Sequence, residues 1–182
     1  LIGARARIAG GAKGFDLLDV AQTVALVDQD AVRVLHVLDL NARVDHARNL
    51  AALGCDRILA VASTGSLRAD LPVGSFVCPD DFVALHLGLS LSDGHGGERV
   101  PGFDPEWRSR VLAAWARLPE PPLVDGGVYW QAIGPRFETP AEIRMIASHA
   151  DVIGMTAASE CILAGEMEIP YAVVCVVDNL AN

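Results

Sequence analysis

The chain has 182 residues, 52% hydrophobic and 20% charged, which excludes a disordered chain and allows one sizeable core. Its net charge is -9 and its Lys and Arg residues form no cluster, so we expect no nucleic-acid partner. No apolar run reaches the roughly 20 residues of a membrane span, so we expect no membrane partner either.

The N-terminal third predicts short elements around a Gly-rich turn. Residues 5–15 read as a strand that runs into the turn Gly-Gly-Ala-Lys-Gly at 10–14. Such a turn either cradles a phosphate with its backbone N–H groups or is a plain tight turn. Residues 21–28 and 31–38 are two extended apolar runs, and the pattern at 42–54 predicts a helix.

The next elements place small polar residues at the end of a buried strand. Residues 57–62 predict this strand, and Ser-Thr-Gly-Ser follows at 63–66. At the carboxyl end of a parallel strand these residues are well placed to bind an anion or a sugar, although a polar turn that closes the strand fits equally well. Another strand is predicted at 75–79, followed by a long loop at 86–104.

A well-marked helix start follows further along the chain. After a predicted helix at 105–117 and a strand at 127–132, Thr139, Pro140 and Glu142 form a capping box with Pro at the first helical position. Phe137 and Glu138 precede this cap. An aromatic face beside a carboxylate suits a flat heterocycle with N–H groups, although a loop staple and a helix-dipole charge are the alternative interpretation.

The last unit is the most regular. A strand at 151–155, a loop and helix at 156–165 and an uninterrupted apolar strand at 171–177 alternate, and Asp-Asn follows at 178–179. This alternation predicts an α/β fold in which a central mixed, mostly parallel sheet is flanked by helices. The singled-out polar groups all fall at strand ends or their loops, so we expect them to share a pocket.

The four cysteines are Cys55, Cys78, Cys161 and Cys175. Their spacing matches no zinc knuckle and no Cys-x-x-Cys motif, and each lies in an apolar setting. We therefore expect core thiols, no metal site and a reducing, cytoplasmic compartment.

Three segments together resemble the trimeric purine nucleoside phosphorylase and methylthioadenosine phosphorylase family. They are Gly-Pro-Arg-Phe-Glu-Thr at 134–139, Ala-Asp-Val-Ile-Gly-Met-Thr at 150–156 and Cys-Val-Val-Asp-Asn at 175–179. The resemblance implies cleavage of a purine nucleoside by inorganic phosphate to the free base and ribose 1-phosphate, with no metal or organic cofactor. It also implies a homotrimer or a dimer of trimers.

The same resemblance implies a role for individual residues. Phe137 would stack on the purine, Glu138 would accept its N1–H, and Asn179 would hydrogen-bond N7 and O6. Around them, Gly65 and Asp178 would line the base site, Met155 would lie under the ribose, and Thr156 would contact sugar or phosphate. The phosphate contacts would come from Ser63, Thr64 and Gly11.

Glu138 with Asn179 indicates a 6-oxopurine such as hypoxanthine or guanine, because the adenine-preferring branch usually has Ser and Asp there. Asp178 replaces a Thr that is common in the family, and a shift of one residue would place this Asp in the reading position. The family's long loop reaches a neighbouring subunit's sugar site, and either His86 or His95 could do so here; a core or solvent role is the favoured alternative for each.

Departures from the family concern phosphate. The turn at 10–14 lacks the family's hydroxyl residue, and no Arg-His-Gly motif occurs before the helix at 42–54. We therefore expect a single domain over residues 1–182, shortened at 28–44 and at the C-terminus. A working phosphorylase is our first hypothesis. The alternatives are a phosphate-independent nucleosidase, a catalytically impaired purine-binding homologue, and a methylthioadenosine or methylthioinosine phosphorylase.

Overall fold

The computed structural model of the protein describes residues 55–91, 99–119 and 121–181. Seven strands and three helices make up this described part of the chain. The elements predicted within residues 5–54 lie outside the described residues, and so do Gly11 and His95.

A mixed seven-stranded sheet forms the centre of the described part. Its strands are β1 (Ile58–Ser66), β2 (Phe76–Cys78), β3 (Asp81–Val83), β4 (Leu123–Asp125), β5 (Val128–Gln131), β6 (Val152–Gly154) and β7 (Tyr171–Leu180). The order across the sheet is β3-β5-β6-β1-β7-β2-β4. Strand β1 pairs antiparallel with β6, and β2 pairs antiparallel with β7, while the other four pairs are parallel. The prediction of a mixed, mostly parallel sheet is confirmed.

Three helices flank the sheet: α1 (Pro105–Trp115), α2 (Pro140–Ile146) and α3 (Ala157–Glu166). The Asp104 side chain caps α1 by accepting the Trp107 N–H at 2.7 Å. The capping box predicted at Thr139 and Glu142 is present at the start of α2. The helix predicted at 105–117 ends at Trp115.

The neighbouring strands β1 and β7 are buried on both faces along most of their length, which explains their long apolar runs. Along β7, Val173 and Cys175 face one apolar cluster together with residues of α3. The alternate residues Val174 and Val176 face a second cluster, which contains the α1 residue Trp107. Alternate side chains of β7 therefore pack against α3 on one face of the sheet and against α1 on the other.

Strand lengths differ from the sequence expectation in two respects. β1 continues to Ser66, past the predicted strand end at residue 62, because residues 63–66 pair with β7 and β6; of the two alternatives for this segment, the polar turn is therefore wrong. The three-residue strands β3 and β4 were not predicted, since their existence depends on pairing with β5 and β2.

The described cysteines are free thiols, and three of them are buried. Burial raises the pKa of Cys78 to about 11 and that of Cys161 to about 12, so both thiols stay protonated. Cys55 is half-buried. Among the described residues, no cluster of three or more His, Cys, Asp and Glu could hold a metal ion. Within this same part of the chain, no helix is long and apolar enough to cross a membrane.

Candidate active site

A cavity of about 480 Å³ lies where β1, β6 and β7 end beside the loop that precedes α2. Every predicted site residue except Gly11, which is not described, lines this cavity. The lining residues are Ser63, Thr64, Gly65, Ala132, Phe137, Glu138, Ile143, Ile153, Gly154, Met155, Thr156, Asp178, Asn179, Leu180 and Ala181. The structure thus brings together side chains from positions more than a hundred residues apart in sequence.

A register shift between β1 and β7 shapes one wall of the cavity. Thr64 pairs with Val177, but the next residue, Gly65, pairs with Asn179, so Asp178 is an extra residue in β7. An extra residue of this kind disturbs the strict alternation of side chains along a strand. Consequently both Asp178 and Asn179 line the cavity.

Gly65 allows Asn179 to approach the β1 backbone closely. A Cβ atom at Gly65 would lie 3.2 Å from Asn179 Nδ2 and at the same distance from Ile153 Cγ2. Asn179 Nδ2 donates one hydrogen bond to the Leu180 carbonyl at 3.2 Å. An amide nitrogen carries two hydrogens, so one remains for a ligand.

The two hydroxyl groups predicted to bind phosphate already have partners. The Ser63 hydroxyl donates to the Asp178 carboxylate. The Thr64 hydroxyl is buried and donates to the Val176 carbonyl at 3.2 Å. A phosphate oxygen needs donors, so it would have to compete with these partners for the hydroxyl protons.

An ion pair anchors the loop that carries Phe137 and Glu138. The Arg136 guanidinium donates to both Glu142 carboxylate oxygens, at 2.8 and 2.9 Å. Glu142 also accepts the Thr139 N–H at 2.6 Å. The Arg136 hydrogen bonds, followed by those from Thr139, lower the pKa of Glu142 to about 2. Between these anchors Phe137 is 81% exposed, as a stacking platform needs to be.

Two side chains of β5, which the sequence analysis did not single out, cap the start of α3. The Tyr129 hydroxyl accepts the Thr156 N–H at 3.1 Å and the Ala157 N–H at 3.3 Å. Gln131 Oε1 accepts the Ala158 N–H at 3.1 Å. In the sequence both residues look like ordinary strand residues, and no local signal marks their capping role.

A family model described as the phosphorylase superfamily matches residues 30–182 of the chain. The chain belongs to this phosphorylase superfamily. It is 38% identical over 143 residues to the probable 6-oxopurine nucleoside phosphorylase of Archaeoglobus fulgidus, with 77% of this chain and 59% of that protein covered. It is 40% identical over 134 residues to the probable S-methyl-5′-thioinosine phosphorylase of Methanothermobacter thermautotrophicus. This alignment covers 72% of this chain and 47% of that protein.

Solved structures of the superfamily match the fold as well. A purine nucleoside phosphorylase of Schistosoma mansoni, complexed with a monocyclic inhibitor, aligns with a TM-score of 0.65 and 27% identity over 75% of this chain and 56% of its own. A methylthioadenosine phosphorylase of the same organism, in complex with tubercidin, aligns with a TM-score of 0.65 and 26% identity. The alignment covers 76% of this chain and 59% of that protein. The chain spans less than two thirds of the length of each of these four proteins.

The cavity of this phosphorylase superfamily member is acidic where it is described. Glu138 and Asp178 are its two carboxylates, and the described lining residues include no Lys, Arg or His. His86 is exposed and is not among the lining residues. The described wall therefore offers an aromatic face, carboxylate acceptors and hydroxyl groups to a ligand, but no positive charge.

Proposed function

We propose that the protein catalyses the phosphorolysis of a 6-oxopurine nucleoside, such as inosine or guanosine, to the free base and ribose 1-phosphate. It is then a pentosyltransferase that uses inorganic phosphate as co-substrate and needs no metal or organic cofactor. The observation that carries this proposal is that Phe137, Glu138 and Asn179 line one cavity. The names of its superfamily relatives support the same activity.

In this proposal the base is held at three points. Phe137 stacks on the ring, the Glu138 carboxylate accepts the N1–H, and Asn179 donates to N7 or O6. As the glycosidic bond breaks, negative charge grows on the base. A hydrogen bond from Asn179 that strengthens with this charge stabilises the transition state more than the ground state.

Glu138 selects the base by its charge. A 6-oxopurine presents an N1–H donor to the carboxylate, whereas a 6-aminopurine presents an N1 lone pair. A carboxylate that faces a lone pair is repelled by it and receives no hydrogen bond from the base, so the site disfavours adenosine. Asp178 lines the same cavity, and the carboxylate oxygen that does not accept the Ser63 hydroxyl can accept another N–H group of the base.

The sugar and phosphate occupy the part of the cavity between β1 and the start of α3. Met155 packs under the ribose, and Thr156 contacts sugar or phosphate. The Ser63 and Thr64 hydroxyls turn from Asp178 and the Val176 carbonyl toward the phosphate. Gly11 supplies a further phosphate contact in this proposal, from outside the described residues.

A second candidate substrate is S-methyl-5′-thioinosine. Relatives from Methanothermobacter thermautotrophicus and Methanosarcina acetivorans carry that name, at 40% and 37% identity. Its base is the same 6-oxopurine, so Glu138 and Asn179 serve both substrates. The difference is confined to the 5′ substituent of the sugar, where a thioether needs an apolar surface and a hydroxyl needs a hydrogen-bond partner.

We further propose that the chain functions as a single domain within a homotrimer or a dimer of trimers in the cytoplasm. Two exposed apolar side chains beside the cavity, Ile133 and Leu180, are consistent with contact to a neighbouring subunit. Multi-angle light scattering of the purified protein measures the assembly directly. A monomer at micromolar concentration would contradict this part of the proposal.

Release of free base with and without phosphate tests the activity. We expect inosine, guanosine or S-methyl-5′-thioinosine to release base only when phosphate is present, and adenosine to react far more slowly. Release without phosphate would indicate a nucleosidase. Binding of hypoxanthine with no turnover of any of these nucleosides would indicate an impaired homologue.

A further inference from the structure

We propose that Tyr129 and Gln131 are positioning residues that hold the Met155–Thr156 turn against the cavity by capping α3. The catalytic relevance of this turn rests on the proposed phosphorolysis, in which Met155 and Thr156 contact the sugar and phosphate. The capping itself follows from the contacts of the described residues and does not depend on any ligand.

The turn needs a cap from elsewhere in the fold. The first N–H groups of a helix have no intrahelical acceptor, and a side chain at the residue before the helix usually supplies one. Here that residue is Thr156, whose φ and ψ of -132° and -49° depart from the extended values typical of the position. Its side chain makes no capping hydrogen bond.

Strand β5 supplies the missing acceptors. Tyr129 and Gln131 are two residues apart, so both face α3, and they are 0% and 5% exposed. They pair in register with Val152 and Gly154 of β6, the strand that leads into the turn. Together their side chains accept three consecutive N–H groups, those of Thr156, Ala157 and Ala158.

The turn is also fixed sterically against Tyr129. A Cβ atom at Gly154 would lie 2.5 Å from the Tyr129 hydroxyl oxygen and 3.0 Å from Cζ. The absence of a side chain at Gly154 therefore lets the phenol reach the amides beyond it. Burial raises the pKa of Tyr129 well above its usual value, so the phenol remains neutral as it accepts both bonds.

The cap decides how α3 contributes to the cavity. A helix N-terminus commonly binds an anion through free N–H groups. In this protein the Thr156, Ala157 and Ala158 N–H groups are directed to β5. The start of α3 therefore contributes through the placement of Met155 and Thr156, which line the cavity.

Amide hydrogen exchange tests the cap without any ligand. In Tyr129→Phe we expect the Thr156 and Ala157 amides to exchange ~5-fold faster or more, since one hydrogen bond is worth about 1 kcal/mol. Tyr171→Phe is the matched control, because Tyr171 is equally buried and its hydroxyl donates to Glu160 at 2.7 Å, outside this cavity. Unchanged exchange in Tyr129→Phe would overturn the proposal.

Kinetics then tests the link to activity. We expect the KM values for nucleoside and phosphate to rise ~5- to 10-fold in Tyr129→Phe, while the preference for inosine over adenosine persists because Glu138 is untouched. Gln131→Met, which removes the acceptor at similar volume, should act in the same direction. Equal effects of Tyr129→Phe and Tyr171→Phe at equal loss of melting temperature would indicate a merely structural role and overturn the proposal.

The two proposals fail in different ways. A wild-type protein that releases no base contradicts the proposed phosphorolysis, and the exchange measurement then decides alone whether Tyr129 holds the turn. Wild-type KM values for nucleoside and phosphate in Tyr129→Phe, despite faster exchange, contradict the positioning proposal and leave the phosphorolysis intact.

Discussion

The Ser63 hydroxyl donates a hydrogen bond to the Asp178 carboxylate, between the neighbouring strands β1 and β7. This pair depends on the register shift that makes Asp178 the extra residue of β7. The negative charge of Asp178 therefore lies directly beside the Ser63 hydroxyl, which we propose as a phosphate ligand. For phosphate to bind, the Ser63 hydroxyl must give up its hydrogen bond to Asp178 and donate to a phosphate oxygen instead.

We expect Asp178→Asn to bind phosphate more tightly. The introduced amide oxygen can still accept the Ser63 proton, but the repulsion of the phosphate dianion is removed. The KM for phosphate should fall ~3- to 10-fold at low salt, and the gain should shrink as salt is added. Asp56→Asn, which removes the same charge just before β1, is the control. Weaker phosphate binding in Asp178→Asn would show that this carboxylate assists the anion.

Replacing Phe137 with Leu should lower affinity for the base with little effect on stability. The ring is 81% exposed, so its loss removes little buried apolar surface and the melting temperature should barely change. Loss of a stacking face worth about 1 kcal/mol predicts a ~5-fold higher dissociation constant for hypoxanthine by calorimetry. An unchanged dissociation constant would exclude Phe137 as the stacking platform.

Glu138→Gln should lower turnover of 6-oxopurine nucleosides ~100-fold or more, because the N1–H would lose its charged acceptor. The loss should be smaller for adenosine, whose N1 can accept from the introduced amide. Glu168→Gln is a suitable control, since Glu168 is exposed and does not line this cavity. Equal losses with inosine and adenosine would argue against base reading by Glu138.

Glu142 should contribute stability only above acidic pH. Its pKa is about 2 in the folded protein, against 4.5 ordinarily, because Arg136 and the Thr139 N–H bind the charged form. A lowered folded-state pKa gives stability that is fully present above pH 4.5 and is lost as pH falls toward 2. The melting temperature of Glu142→Gln should therefore lie below that of the wild type at pH 7, and the gap should narrow steadily as the pH falls from 4.5 through 2. A gap as large at pH 2 as at pH 7 would contradict this assignment.

The sheet and much of the cavity wall could be predicted from local sequence. Apolar runs mark β1 and β7, and the capping box marks α2. Because ligands bind at the carboxyl ends of strands in α/β proteins, the polar residues that follow these runs pointed to one place. No local signal marks the extra residue Asp178, which arises from how β7 pairs with β1.

The support behind the cavity was also hidden from sequence analysis. Tyr129 and Gln131 read as ordinary strand residues until β6 and α3 are docked beside β5. Similarly, Arg136 looks like a free loop cation, yet its fork to Glu142 fixes the loop. Such contacts join elements whose relative placement is set by tertiary packing. Local sequence patterns do not predict that placement.

A crystal structure of the protein with hypoxanthine would show whether Phe137, Glu138 and Asn179 bind a purine base together. We expect the base inside the cavity, its ring on Phe137, its N1 within hydrogen-bond distance of the Glu138 carboxylate and its N7 near Asn179 Nδ2. A base bound at another surface, or one held in the cavity without contact to Glu138 and Asn179, would contradict this expectation.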